Sequence, residues 1–192
     1  MLRGDLGDPE GARAFFQQAI DSGDADVAAE AMVGLGYLLV MFQGDPEEAQ
    51  AVFQNAIDSR HPEWAPAGMV GLAKLLGKHG DAAGARAAYE QVIGFGHADW
   101  TGCARFNLAG LLAEQGDAAG ARTAYMQVIE SRHADWAPAA LVNLLNLLRN
   151  QGDIEGVRAA HRVALDTGNP EAPYALVVIG QLRDPREDLG LL

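Results

Sequence analysis

Cysteine is almost missing from this 192-residue chain: Cys103 stands alone. No intramolecular disulfide can form, and the chain suits a reducing compartment. One thiol cannot build a zinc site by itself. Aromatic residues make up only 7%, and no alternating run of β-branched residues stands out, which argues against strands. Cations are also short, with 14 Lys and Arg against 26 Asp and Glu and a formal net charge of −12. That excess repels the phosphate backbone and anionic lipid alike, so neither nucleic acid nor a membrane is an expected partner. No apolar run approaches the roughly 20 residues needed to span a bilayer, and the opening MLRGDLGDPEGAR lacks the apolar heart of a signal peptide. The expectation is a soluble, cytoplasmic protein. Motifs that carry chemistry are missing too: there is no phosphate loop, no GxSxG, no HExxH and no CxxC. No catalytic residue, metal ligand or cofactor is therefore expected, and the chain reads as a non-enzyme.

What is present is repetition. GDAAGARAAYEQVIGFGHADWTGCARFNLAGLLAEQ, from Gly80 to Gln115, is followed at once by GDAAGARTAYMQVIESRHADWAPAALVNLLNLLRNQ, from Gly116 to Gln151. Weaker copies begin at Gly7, Gly44 and Gly152, so the Gly-Asp pairs are spaced by 37, 36, 36 and 36 residues. That is the length of a two-helix unit with two short turns. In each copy the Gly can close one helix in the left-handed conformation and the Asp can cap the next. Asp45-Pro46-Glu47-Glu48 adds Pro at the first helical position and a carboxylate, Glu48, placed to reciprocate the cap.

After each cap comes a second-type helix: EGARAFFQQAI, EEAQAVFQNAI, AGARAAYEQVI, AGARTAYMQVI and EGVRAAHRVAL. Residues such as Ala85, Tyr89, Val92 and Ile93 recur at helical spacing and form one apolar stripe. Linkers follow (DSGDADV, DSRHPEW, GFGHADW, ESRHADW, DTGNPEA), and then more apolar first-type helices such as APAALVNLLNLLRNQ. Trp64, Trp100 and Trp136 repeat every 36 residues and are expected to staple each linker onto the adjoining repeat. His61, His97 and His133 share that period. Neighbours one repeat apart sit on the order of 10 Å from each other, too far to share a metal, so they are expected to bond linker backbone instead. Arg13, Arg86, Arg122 and Arg158 are expected to pair with nearby carboxylates such as Glu90. Cys103 is expected to be a small packing residue.

An aliphatic-small pair (Leu72-Ala73, Leu108-Ala109), then Gly-Asp six residues on, then Ala, an aromatic four later and an aliphatic pair, resembles the tetratricopeptide repeat. The SGD, SRH and FGH turns are also similar to Sel1-like repeats. The resemblance covers nearly the whole chain. It implies an all-α fold of about ten helices: a right-handed α-solenoid of antiparallel helix pairs, one repeat domain over residues 1–192, with first-type helices lining a concave groove. It also implies a scaffold whose partner is a protein or peptide. In that frame the groove-facing positions include Tyr37 and Met41, Lys74 and Lys78, Asn107, and Asn143, Asn146, Arg149 and Asn150. Asn143, Asn146 and Asn150 lie at i, i+3 and i+7, on one helix face. The family's clamp for C-terminal carboxylates is not reproduced, because only Asn107 falls in register while Val70, Lys74, Ala139 and Asn143 occupy the other places.

Both ends are out of phase with the repeat. The chain opens on a second-type helix with Phe15, Phe16 and Ile20 uncovered, and closes on YALVVIGQLRDPREDLGLL with Val177, Val178 and Ile179 uncovered unless Leu189, Leu191 and Leu192 fold back. A second reading follows, in which apolar ends assemble copies of the chain into a homo-oligomer. A third places a small-molecule sensor or enzyme site in the groove.

Overall fold

A computed structural model of the chain describes residues 8–42 and 44–182. Among them are ten α-helices and no strand. They are α1 (Pro9–Ile20), α2 (Ala25–Met41), α3 (Pro46–Asp58), α4 (Trp64–Lys78), α5 (Ala82–Phe95), α6 (Ala98–Glu114), α7 (Ala118–Glu130), α8 (Trp136–Gln151), α9 (Ile154–Thr167) and α10 (Tyr174–Leu182). The expected all-α helical-repeat fold is present, with second-type helices at odd numbers and first-type helices at even ones. The chain divides into two compact units, residues 1–104 and 105–192, and α6 contributes its first residues to one and the remainder to the other. Gly7, Leu189, Leu191 and Leu192 lie outside the described residues.

The helix starts follow the Gly-Asp signal closely. Asp8, Asp81, Asp117 and Asp153 each accept, through Oδ1, the backbone N–H of the Gly three residues on, at 2.7 to 2.9 Å. Those glycines are there for room. A Cβ on Gly11, Gly84, Gly120 or Gly156 would stand 2.3 to 2.4 Å from the other oxygen of the capping carboxylate. Where that Gly is replaced by Glu48, the Asp45 carboxylate moves to the N–H of Glu47, at 2.9 Å. The reciprocal cap expected of Glu48 does not form as read, for its carboxylate turns to Arg13 at 2.6 Å. The preceding glycines are left-handed at Gly80, Gly116 and Gly152 (φ 87°, 80° and 69°). Gly44 is not: there the close approach of Leu39 Cδ2, 2.8 Å from where a Cβ would lie, is the reason for glycine.

In the first unit the core is built by aromatic rings of second-type helices sunk into glycine notches of first-type helices. The Phe53 ring is fully buried, and a Cβ on Gly36 or Gly71 would fall 2.5 or 2.2 Å from it. Phe16 does the same to Gly34, at 2.5 Å, and packs with Leu35, Leu38 and Leu39. The prediction that Phe16 is uncovered is therefore corrected: α2 covers it, and of the aromatic pair only Phe15 is exposed. A second cluster joins Val33, Ala56 and Ala67 to Tyr37, Trp64 and Trp100.

The second unit centres on Leu141, Leu144, Leu145 and Leu148 of α8, all fully buried, with Val128 and Ile129 of α7 and Val157 of α9. Tyr125 is the aromatic knob here, edge-on to Phe106 at 6.0 Å. Phe106 also packs on Trp136 at 5.2 Å. Val178, expected to be uncovered, is fully buried in α10, whereas Leu176 and Val177 are exposed. No helix of the described residues is long and apolar enough to cross a membrane.

The cap geometry makes a coupling prediction. Asp117→Ala should cost about 1 kcal/mol of stability. Gly120→Ala in the native background should gain little, because the new methyl displaces the capping carboxylate. In the Asp117→Ala background the same change should stabilise by about 0.5 to 1 kcal/mol, the ordinary helix preference of Ala over Gly. A double-mutant cycle by urea denaturation measures this, and additive effects would contradict it.

Candidate partner-binding faces

The residues predicted to face a partner fall four on the first unit and five on the second. Tyr37 is half-buried, edge-on to Phe53 at 5.4 Å, with Lys74 Nζ over its ring at 5.7 Å. Burial pushes the Tyr37 phenol well above its ordinary pKa, with Cys103 and Tyr89 adding to the shift, so it stays a neutral donor. The contact with Lys74 is a cation on an aromatic face. Lys78 donates to Val40 O at 3.4 Å, neutralising the carbonyl end of α2. Met41 is 61% exposed in the same turn. Lys78 and Val40 also border a cavity of about 440 Å³, floored by Leu39, Ala49 and Leu75. Tyr37, Met41, Lys74 and Lys78 thus line a sulfur, aromatic and ammonium surface beside an apolar recess.

On the second unit Asn143 sits next to Tyr125 and hydrogen-bonds its hydroxyl, which partly opposes the rise in the Tyr125 pKa that burial produces. This gives Asn143 a packing role alongside its place on the face. Asn107 likewise already has a partner. Arg149 Nη1 reaches Gln181 Oε1 at 3.5 Å. The side-chain amides of Asn146, half-buried, and Asn150, exposed, make no hydrogen bond to a described residue. They are the two amides of the i, i+3, i+7 set whose capacity is open.

The linkers behave as expected in part. His61 Nδ1 accepts the N–H groups of Glu63 and Trp64 at 3.2 Å, and His133 Nδ1 that of Asp135 at 3.3 Å. The imidazole thus caps α4 and α8, which have no carboxylate cap. His97 departs from the pattern, and α6 begins at Ala98, two places earlier in the repeat than α4 and α8. Its Nε2 lies 3.1 Å from Glu63 and its Nδ1 is buried with no partner. His61 Nε2 stands in the same relation to Asp26, also at 3.1 Å. Trp100 ties the repeats together as predicted, its indole N–H donating to Glu63 Oε1 at 3.0 Å.

Glu63, His97 and Asp99 place ligand atoms within 4.8 Å of one another and are the residues that could hold a cation. Comparing histidine only with histidine overlooks them, since the third partner comes from the acidic position of the preceding linker. The Glu63 oxygens are already taken by His97 and Trp100, and the Asp26–His61 pair repeats the acid-imidazole contact, so it serves first as an ion pair between repeats. Arg13, Arg86, Arg122 and Arg158 pair with Glu48, Glu90, Asp153 and Glu155 at 2.6 to 2.9 Å, a surface ridge as expected.

The indole bond yields a local prediction. Trp100→Phe keeps most of the packing and should cost about 1 kcal/mol for the lost hydrogen bond to a carboxylate. Hydrogen exchange should speed up in α4 and the start of α6 while α1 is unchanged, since repeat units feel their neighbours first. Uniform loss throughout the first unit would refute it.

Comparison with known proteins agrees with this geometry. No curated protein matches the chain. Among solved structures, it resembles the crystal structure of BtubC (BKLC) from P. vanneervenii, with a TM-score of 0.71 and 17% identity over 91% of this chain and 82% of that one. It also resembles the crystal structure of MamA, with a TM-score of 0.59 and 17% identity over 90% of this chain and all of the other. At such identities these likenesses concern the fold. A family model described as tetratricopeptide repeat matches residues 38–101 and 70–136, together more than half of the 192 residues. By that match and by its paired helices, capped turn after turn by the same Asp, the chain belongs to the tetratricopeptide repeat family.

Proposed function

We propose that the protein is a non-enzymatic interaction scaffold that holds a peptide or partner protein on the exposed faces of its first-type helices. The family membership supports an interaction scaffold in general. The observation that carries the finer reading is the recess of the first unit. A cavity of about 440 Å³, apolar at its floor and carrying the Lys78 ammonium at its edge, lies next to the exposed Met41. Methionine at a surface suits a partner contact because its unbranched thioether adapts to several shapes. In the second unit the open amides of Asn146 and Asn150 offer donors and acceptors to an extended peptide backbone.

A second reading rests on other residues. Leu165, Leu176 and Val177 of α9 and α10 are 58%, 57% and 53% exposed. Exposed aliphatic side chains of this kind favour self-association. Light scattering across a concentration series tests it, and a strict monomer at all concentrations removes it.

The leading reading is tested by replacing Lys78, Asn146 and Asn150 together with Ala. Capture of the partners retained by the native chain should drop by tenfold or more, about 1.4 kcal/mol, with an unchanged circular dichroism spectrum. Full retention by the folded triple variant would remove these faces from consideration.

A further inference from the structure

The five linkers share one backbone position with φ near +60 to +80°: Gly23, Arg60, Gly96, Arg132 and Gly168, at 79°, 55°, 69°, 57° and 71°. Three copies use glycine, which adopts this conformation without penalty. Two use arginine, which does not. A side chain held in a strained conformation points to a use for that side chain. At Arg132 the use is visible: Nη2 donates to Asp166 O at 3.3 Å. The Arg60 guanidinium makes no hydrogen bond or ion pair with a described residue, only its backbone N–H being bonded, to Ile57 O at 3.1 Å.

The two arginines stand at matching edges of two matching cavities, one in each unit, and the cavities differ in state. In the second unit the cavity is about 150 Å³. Asn169 lines it, nearly fully buried, donating to Ala137 O at 2.9 Å and accepting the Glu171 N–H at 3.0 Å. Thr167 turns its hydroxyl back onto Val163 O at 2.9 Å. In the first unit, 72 residues earlier, Phe95 stands in place of Thr167 and His97 in place of Asn169. Neither is held in the way of its counterpart. Phe95 is 59% exposed, and His97 turns Nε2 away to Glu63 while its Nδ1 is left buried without a partner. The cavity here is about 390 Å³, with Ile57, Pro62, Pro66 and Met69 in its wall beside Phe95 and Arg60.

Charge narrows the occupant. The two imidazoles at this cavity each face a carboxylate, His61 to Asp26 and His97 to Glu63. Among the described residues no carboxylate pairs with the Arg60 guanidinium. An aliphatic and aromatic wall with one unpaired guanidinium at its edge fits an apolar side chain accompanied by a carboxylate. We propose that this cavity is a second binding site, distinct from the recess beside Lys78 and from the amides of Asn146 and Asn150, and sharing no lining residue with them. It takes a partner segment that inserts an aromatic or aliphatic side chain and lays the carboxylate of an adjacent acidic residue on Arg60.

The probe is the blocked dipeptide Ac-Phe-Glu-NH2, with Ac-Phe-Gln-NH2 as its neutral counterpart, titrated into the full chain and followed by NMR. The expected shifts centre on Ile57, Met69 and Phe95, and the glutamine peptide binds roughly three- to tenfold more weakly, as for a lost charge-assisted contact. Arg60→Gly separates this role from a structural one. It should abolish the preference for the acidic peptide while raising the melting temperature, because glycine is unstrained at this φ. Phe95→Thr with His97→Asn, the residues of the smaller cavity, should suppress binding of both peptides. Equal binding of the two peptides, shifts equally strong around Ile129 and Thr167, absence of shifts at tens of millimolar probe, or a fall in melting temperature for Arg60→Gly would each overturn the proposal.

Discussion

The constraint on which the first unit depends is the depth to which an aromatic ring enters its neighbours. Phe53 lies between Gly36 and Gly71, and a methyl on either would overlap the ring at 2.5 or 2.2 Å. Two first-type helices are thereby brought close to one second-type helix at a single point. Tyr37, edge-on to the ring at 5.4 Å, takes its position from this approach. The glycines are expensive in a helix interior, roughly 0.5 to 1 kcal/mol each relative to Ala, so the burial of the ring must outweigh them. Full burial of a Phe side chain, at about 1.5 to 3 kcal/mol with aromatic contacts in addition, does so.

The turns solve a separate problem. A repeat of two helices has twice as many helix ends as a single long helix, and each end leaves unpaired backbone groups. In this chain second-type helices are capped by Asp and first-type helices α4 and α8 by the imidazole of the preceding histidine. The two devices differ in consequence. An Asp cap uses its carboxylate locally, and at Asp8, Asp81, Asp117 and Asp153 it lies against a glycine three residues on. A histidine cap uses Nδ1 and leaves Nε2 to bond elsewhere, and at His61 that second nitrogen meets Asp26 of the preceding linker. One side chain thus caps a helix and joins two repeats.

Much of this was legible in the sequence, because period, caps and apolar stripes are local properties. Helix order, the Asp caps, the Arg ridge and the Trp100 tie all follow from residues within one repeat or its neighbour. What was not legible depended on which of two partners a group chooses. Glu48 has the spacing of a reciprocal cap yet pairs with Arg13, since an ion pair with a guanidinium outcompetes a bond to one N–H. Asn143 has the spacing of a face residue and also serves the Tyr125 hydroxyl, a demand visible only once Tyr125 is known to be buried. Phe16 seemed uncovered because the first-type helix expected to cover it would precede it, whereas α2 follows it and suffices. Period alone describes what the copies share and says nothing of where a copy's own contacts go.

That distinction bears on where individuality resides in a repeat protein. Positions that hold the packing together are constrained in every copy, so a departure there is either a defect or has a local reason. His97 illustrates the point. The histidines His61 and His133 use Nδ1 to cap a helix, but α6 starts directly after His97, whose Nδ1 is buried with no partner among the described residues. A buried polar atom without a partner is disfavoured by about 1 to 3 kcal/mol, a sizeable fraction of the stability of a small domain. The same linker carries an exposed Phe95, and the linker packed beside it carries the strained, unpaired Arg60. Independent drift would scatter such departures through the copies. Here three of them border one cavity, whose smaller counterpart in the second unit has a hydrogen bond at each of these places: Asn169 is doubly bonded, Thr167 is folded back and Arg132 is engaged. The unsatisfied groups of the first unit therefore belong together, as parts of one surface.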